Sequence, residues 1–169
     1  MRRRYLLLLS PALAACRREE AAEAAAEAVR IVEFDAAGNS KGAVTVEKIV
    51  RSKAEWRASL SPVTFWVTRE AGTETPFSGE YDHHHGPGVF RCACCGTPAF
   101  DGEMKFNSGT GWPSFWQPIA PQNVLKRPDG DRVEVLCVRC DAHLGHVFDD
   151  GPPPTGLRYC INSIALRLG

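Results

Sequence analysis

Two cysteine pairs with two-residue spacers, Cys92-x-x-Cys95 followed by Gly96 and Cys137-x-x-Cys140, constrain this chain more than any other feature. Each pair makes a tight knuckle that can aim two soft sulfur ligands at one ion, and two knuckles complete the tetrahedral thiolate set that zinc prefers. Four protein ligands leave no open coordination position, so a Zn²⁺ ion held by Cys92, Cys95, Cys137 and Cys140 is expected to be structural, one per chain. Two rivals stand beside this reading. The pairs could close as disulfides or cycle as thioredoxin-like redox motifs, or the whole could be a zinc-ribbon binding module without catalysis. Cys94 lies inside the first knuckle, where it cannot easily serve as a fifth ligand.

A chain of 169 residues fits one domain with a short appendage. The 15 glycines and 12 prolines cut it into short pieces, which predicts turns and short strands rather than long helices. Lys and Arg together number 20, as do Asp and Glu, so there is no basic excess to support nucleic-acid binding.

The N-terminus reads as a secretory signal. Arg2, Arg3 and Arg4 precede the apolar run Tyr5 to Leu9, and small residues follow at Ala12-Leu13-Ala14-Ala15-Cys16. The run is too short to span a bilayer. Leu13-Ala14-Ala15-Cys16 resembles the bacterial lipobox, which implies a signal over 1–15, lipid on the sulfur of Cys16 and a membrane-anchored periplasmic protein. The arginines also look like a twin-arginine signal, so the export route stays open between two systems. Cleavage before Cys16 would leave 17 basic against 20 acidic residues, a formal charge of −3. Residues 16–28 are Ala/Glu-rich without large apolar side chains, and read as a tether rather than part of a core. The folded domain is then expected over 29–169.

Within it, Val29 to Asp35 and Ala43 to Val50 are rich in β-branched residues and flank Gly38-Asn39, the pattern of a β-hairpin. Ser52 and Glu55 form a capping box ahead of Trp56, and Ser61-Pro62 can start a second short helix reaching Arg69. Later runs, Val133 to Cys137 and Ile161 to Leu168, suit strands. His83-His84-His85, set among Gly and Pro, reads as solvent-facing rather than as a metal site.

The second chemical signal lies near the C-terminus. His143-Leu144-Gly145-His146 begins three residues after Cys140, so the knuckle fixes where it starts. Arg158-Tyr159-Cys160-Ile161-Asn162 reads as a strand with Arg158, Cys160 and Asn162 on one face and Tyr159 and Ile161 on the other. A thiol flanked by an arginine, with histidines nearby, is expected to have its pKa lowered, as a nucleophile needs.

These motifs together resemble the methionine-R-sulfoxide reductase B family. The likeness runs through Trp56, Thr73-Glu74, Pro76-Phe77-Ser78-Gly79, Cys92-x-x-Cys95-Gly96, Ser108 to Phe115, His143 to Phe148 and Arg158 to Asn162, over roughly residues 45–168. It implies a mainly β fold of two small antiparallel sheets, the β-tent or Mss4-like arrangement, with short N-terminal helices. It also implies the roles: Cys160 as nucleophile, His146 and His143 as acid and hydrogen-bond donor to the sulfoxide oxygen, and Arg158 favouring the thiolate. Asn162 would help hold the array, Trp112 would receive the substrate's methyl group, and Asp150 would support from behind. The implied partners are oxidised proteins and a thioredoxin-like reductant. One departure stands out: many relatives carry a resolving cysteine where this chain has Thr110, so Cys160 would be regenerated from outside or by Cys94.

Overall fold

The computed structural model describes residues 27–169. The signal, Cys16 and nearly all of the tether lie outside the described residues. Strands β1 (Ala28–Phe34) and β2 (Ser40–Glu47) form the expected hairpin, with β1 starting one residue earlier than the tether boundary. Helices α1 (Lys53–Ser59) and α2 (Pro62–Arg69) follow. The capping box is present: the Ser52 side chain accepts from the Glu55 amide, and the Glu55 carboxylate accepts from the Ser52 amide at 2.8 Å. Pro62 occupies the first turn of α2, where its missing N–H costs nothing.

The rest is antiparallel sheet. Strands β3 (Val89–Cys92), β4 (Pro98–Asp101) and β11 (Leu166–Leu168) make a three-stranded sheet in the order β11-β3-β4. Strands β5 (Lys105–Phe106), β6 (Ser114–Phe115), β7 (Val124–Asp129), β8 (Arg132–Cys137), β9 (His143–Phe148) and β10 (Arg158–Ile161) make a six-stranded sheet in the order β5-β6-β10-β9-β8-β7. The fold is mainly β, as expected, but its two main sheets are unequal and the hairpin forms a third, separate pair. The run Ile161 to Leu168 is not one strand: a 3₁₀ turn, Ser163–Ala165, carries the chain from one sheet to the other.

An aromatic core joins the sheets. Phe115 and Tyr159 project from the six-stranded sheet and Phe90 and Phe100 from the three-stranded one, with Phe100 stacked on Phe115 at 4.5 Å and Phe90 edge-on to Phe115 at 5.3 Å. His84 departs from its neighbours, turning inward to meet the rings of Tyr81 and Phe90 while His83 and His85 face solvent. Leu166, Ala165 and Phe90 are buried, so the 3₁₀ turn after β10 is anchored on both sides.

The hairpin is attached by a buried amide. Asn123 accepts from the Val32 amide at 2.7 Å and donates to the carbonyls of Val32 and Pro98, both at 2.8 Å. Truncating it leaves three backbone groups without their partner, the Pro98 carbonyl buried and the two of Val32 part-buried, at a cost of about 1 kcal/mol each, the low end of the range for an unsatisfied group. Asn123→Ala is therefore expected to lower folding stability by about 3 kcal/mol, read as an earlier midpoint in urea denaturation with an unchanged slope.

Candidate active site and metal centre

The two knuckles have the same backbone. In the first, the Cys92 amide donates to the Thr97 carbonyl at 2.8 Å and the Gly96 amide to the Cys92 carbonyl at 2.8 Å. In the second, Cys137 and Ala142, then Asp141 and Cys137, repeat both bonds at 2.9 Å. Each turn closes through a left-handed residue, Gly96 at φ 79° and Asp141 at φ 53°. The four sulfurs lie within 4.8 Å of one another, and the close pairs cross between knuckles: Cys92 to Cys140 at 3.7 Å and Cys95 to Cys137 at 3.5 Å. A tetrahedron with metal–sulfur bonds of about 2.3 Å has edges of about 3.8 Å, so the donor set fits a tetrahedral metal such as zinc.

This interleaving favours a shared metal over a disulfide within each knuckle, because the two close contacts join different knuckles and none of these cysteines is disulfide-bonded. Arg69 adds positive charge beside the cluster, donating to the Cys140 carbonyl at 2.6 Å and lying 3.5 Å from its sulfur, while its guanidinium stacks 3.8 Å from the Trp56 ring centre. Cys94 turns toward Thr68 on α2, with 3.3 Å between sulfur and hydroxyl, on the metal side of the molecule.

The reactive face is a row of cross-strand neighbours. Reading across the six-stranded sheet, Ser114 on β6 pairs with Cys160 on β10, Cys160 with His146 on β9, His146 with Glu134 on β8, and Glu134 with Arg127 on β7. Side chains alternate along each strand, so this row shares one face while Phe115, Tyr159 and Val147 point into the core. Gly145 allows the close approach of β9 to β10: a side chain there would meet the Cys160 carbonyl at 2.1 Å.

His143 and His146 are three apart and would lie on opposite faces of a regular strand. A bulge resolves this, since Val135 faces Gly145 but Leu136 faces His143, leaving Leu144 as the extra residue. The two rings end 5.3 Å apart, edge to face. Each is held by a carboxylate that the sequence reading missed: Glu134 lies 2.7 Å from Nδ1 of His143, and Asp129 lies 2.9 Å from Nε2 of His146. Glu134 also accepts from Arg127 at 2.7 and 3.0 Å. His143 is buried, its Nε2 has no partner, and burial holds its pKa below the ordinary imidazole range, so it is neutral near pH 7.

A cleft of about 140 Å³ opens on this row, lined by Thr73, Trp112, Arg132, Gly145, His146, Phe148, Cys160 and Asn162. Four of the predicted residues, Cys160, His146, Asn162 and Trp112, thus come together in one cleft. His143 sits behind His146, and Arg158 stands beside the thiol. Arg158 is gripped by Asp150 through two bonds of 2.8 Å and lies over the Phe148 ring at 4.5 Å.

Asn162 has left the strand. It precedes the 3₁₀ turn, accepting from the Glu74 amide at 3.0 Å and donating to the Leu144 carbonyl at 3.1 Å. Glu74 completes the junction: its buried carboxylate accepts from the amides of Ser163 and Ile164 at 2.6 and 3.0 Å, and its carbonyl accepts from the Trp112 indole at 3.1 Å. One residue therefore fixes the walls on both sides of Cys160.

Comparison with known proteins decides the family. The SelR domain matches residues 60–169. The chain belongs to the SelR family, that of the peptide methionine sulfoxide reductases MsrB. It is 55% identical to the peptide methionine sulfoxide reductase MsrB of Herminiimonas arsenicoxydans over 125 residues, 72% of this chain and 91% of that one. The protein of the same name from Bradyrhizobium diazoefficiens is 52% identical over 134 residues, 77% of this chain and 96% of the relative. That from Thioalkalivibrio sulfidiphilus is 58% identical over 114 residues, 65% and 83% of the two chains.

In this MsrB chain the nucleophile candidate corrects one expectation. Burial pushes the Cys160 thiol up, outweighing the Arg158 charge and the Thr110 hydroxyl that favour the thiolate. The free site therefore holds a thiol near neutral pH. Alkylation of Cys160 by iodoacetamide, followed by peptide mass spectrometry, is expected to rise with a midpoint above the ordinary thiol value of about 8.5. Arg158→Ala should move that midpoint further up, because the largest influence favouring the thiolate is gone.

Proposed function

We propose that this chain reduces the R epimer of protein-bound methionine sulfoxide through a sulfenic acid on Cys160, and that it does so as an exported, lipid-anchored protein. The observation that carries the reaction is the direct cross-strand pairing of Cys160 with His146 on the floor of a cleft walled by Trp112.

A sulfoxide sulfur accepts a nucleophile only as its oxygen takes a proton, so the site must supply a thiolate and an acid together. A thiol and an imidazole side by side hold both in latent form. Transfer of the Cys160 proton to His146 creates the nucleophile and the acid in one step, without a proton from solvent. The thiolate attacks the sulfoxide sulfur as the imidazolium proton goes to its oxygen, forming a Cys160 S–S bond; the hydroxyl then passes to Cys160, so that the S–S bond and the methionine S–O bond break as a Cys160 S–O bond forms. The methionine sulfur gains two electrons and Cys160 loses two, leaving methionine and a sulfenic acid. Arg158, held by Asp150, stabilises the transient thiolate. His143, held by Glu134, backs His146, and Asn162 and Glu74 keep the wall bearing Trp112 in place for the substrate's methyl group.

Regeneration calls on an external dithiol of the thioredoxin type: one thiol attacks the sulfenic acid, releasing water, and the second resolves the mixed disulfide. Thr110 offers no sulfur, and Cys94 faces Thr68 at the metal knuckle. The tetrahedral sulfur set is proposed to hold one structural Zn²⁺ per chain, where the metal joins the two knuckles and leaves the chemistry to Cys160. Arg2 to Arg4, the apolar run after them and Leu13-Ala14-Ala15-Cys16 support export to the periplasm with lipid on Cys16. Among the described residues no helix is long and apolar enough to cross a membrane.

Cys160→Ser is expected to lower reduction of a methionine-R-sulfoxide peptide by about a thousandfold or more, and undiminished activity would refute the mechanism. Cys94→Ser should keep full turnover with a thioredoxin-type reductant. Mass spectrometry of membrane-extracted protein tests the anchor: a chain starting at Cys16 with added acyl mass supports it, and an unmodified or uncleaved N-terminus rejects it.

A further inference from the structure

Asp129 and Arg132 flank a two-residue turn, Gly130-Asp131, at the tip of the β7–β8 hairpin. Gly130 takes φ 60°, the left-handed conformation that tight hairpin turns require. The pair would read as an ordinary surface ion pair, the Arg132 guanidinium donating to Oδ2 of Asp129 at 2.8 Å. However, the same Oδ2 also receives Nε2 of His146 at 2.9 Å, although Asp129 lies on β7 and His146 two strands away on β9. Arg132 itself lines the cleft.

We propose that Asp129 is a positioning residue for His146: its carboxylate fixes the imidazole in the Nε2–H tautomer and leaves Nδ1 as the nitrogen that exchanges a proton with Cys160 and the sulfoxide oxygen. The inference rests on the proposed reduction with His146 as acid, and it assigns how that acid is set.

Three observations carry it. An ionised carboxylate accepts hydrogen bonds and cannot donate them, so Nε2 must bear the proton. Asp129 is held ionised, its carboxyl kept below the usual range first by the His146 bond and then by Arg132. Finally, Arg132 anchors the accepting oxygen, so the carboxylate does not swing away with the exposed turn. The other carboxylate of the row cannot replace it, because Glu134 is committed to His143 and Arg127. A neutral imidazole has one lone pair; with Nε2–H fixed, that lone pair is on Nδ1, the nitrogen left for proton exchange on a residue paired directly with Cys160.

The test uses the full-length, metal-replete protein. Oxidation of Cys160 by a methionine-R-sulfoxide peptide is followed in a single turnover, and the His146 tautomer is read from ¹⁵N side-chain NMR. Asp129→Ala is expected to slow the single turnover at saturating peptide by about 10- to 100-fold, with the half-saturating peptide concentration changed less than about twofold. His146 should then show a mixture of tautomers. Asp129→Asn still offers a carbonyl oxygen to Nε2–H, and should keep the tautomer and recover the rate to within about fivefold of the parent. A wild-type rate in Asp129→Ala, or a slow rate with the His146 tautomer unchanged, overturns the proposal. Metal content reports folding, and should the alanine variant fail to fold, an asparagine variant showing a changed tautomer overturns it equally. Activity surviving in Cys160→Ser would instead sink the reaction on which the inference rests.

Discussion

The four-sulfur cluster is the constraint on which the rest of this molecule depends. One knuckle ends β3 in the three-stranded sheet, and the other turns β8 into β9 in the six-stranded sheet. A metal shared between them would clamp the two sheets at one end while the aromatic core fills the space between them. The arrangement suits a domain whose strands run only two to eight residues, since such strands bury little surface each and need cross-links to hold register. It also reaches the chemistry. His143 follows the last cysteine by three residues, and the bulge that swings it beside His146 begins where the knuckle ends.

From that fixed end, the reactive row is assembled by register. Cys160, His146, Glu134 and Arg127 meet because three strand pairings place them opposite one another, and any slip of one residue would send the thiol into the core. The core aromatics on the reverse face therefore do two things at once. They stabilise the fold, and they specify which face carries the reactive groups. Glu74 extends this control beyond the sheet, tying the loop under Trp112 to the turn after Cys160 with hydrogen bonds from both its backbone and its carboxylate.

Much of this was legible in the sequence, and the limits have physical causes. The cysteine spacing announced the knuckles, the Ser52/Glu55 box announced α1, and the β-branched runs announced the hairpin, because each is a local pattern with a local cause. The alternation Arg158, Cys160 against Tyr159, Ile161 was readable for the same reason. Asn162 lines the cleft as expected but not as a strand residue, because continuing the alternation ignored the turn that carries the chain between sheets. The carboxylate partners were missed because Asp129 and Glu134 reach the histidines through sheet order, which no spacing rule encodes. Glu134 did leave a trace: a charged residue inside the otherwise apolar run Val133 to Cys137 demands a partner once both faces of that strand are covered. The raised thiol of Cys160 was missed because neighbours in sequence show charge but not burial.

That last correction changes how the site should be understood. A thiolate poised in the resting enzyme would react with any small electrophile or oxidant that entered the cleft, and would gain nothing from waiting for a sulfoxide. A half-buried thiol beside an imidazole stays protonated until a bound sulfoxide gives the proton a destination beyond the imidazole. The sulfoxide oxygen is such an acceptor, and its protonation is the step that makes its sulfur electrophilic. Selectivity for sulfoxide over other oxidised groups then follows from coupling: the same proton that leaves Cys160 is the one the substrate needs. The arrangement of carboxylates supports this, since each imidazole is given one hydrogen-bond acceptor, and His146, the one that lines the cleft, keeps its other nitrogen for the reaction. A site with a permanently ionised cysteine would need a separate acid, and the described residues offer none in the cleft besides His146.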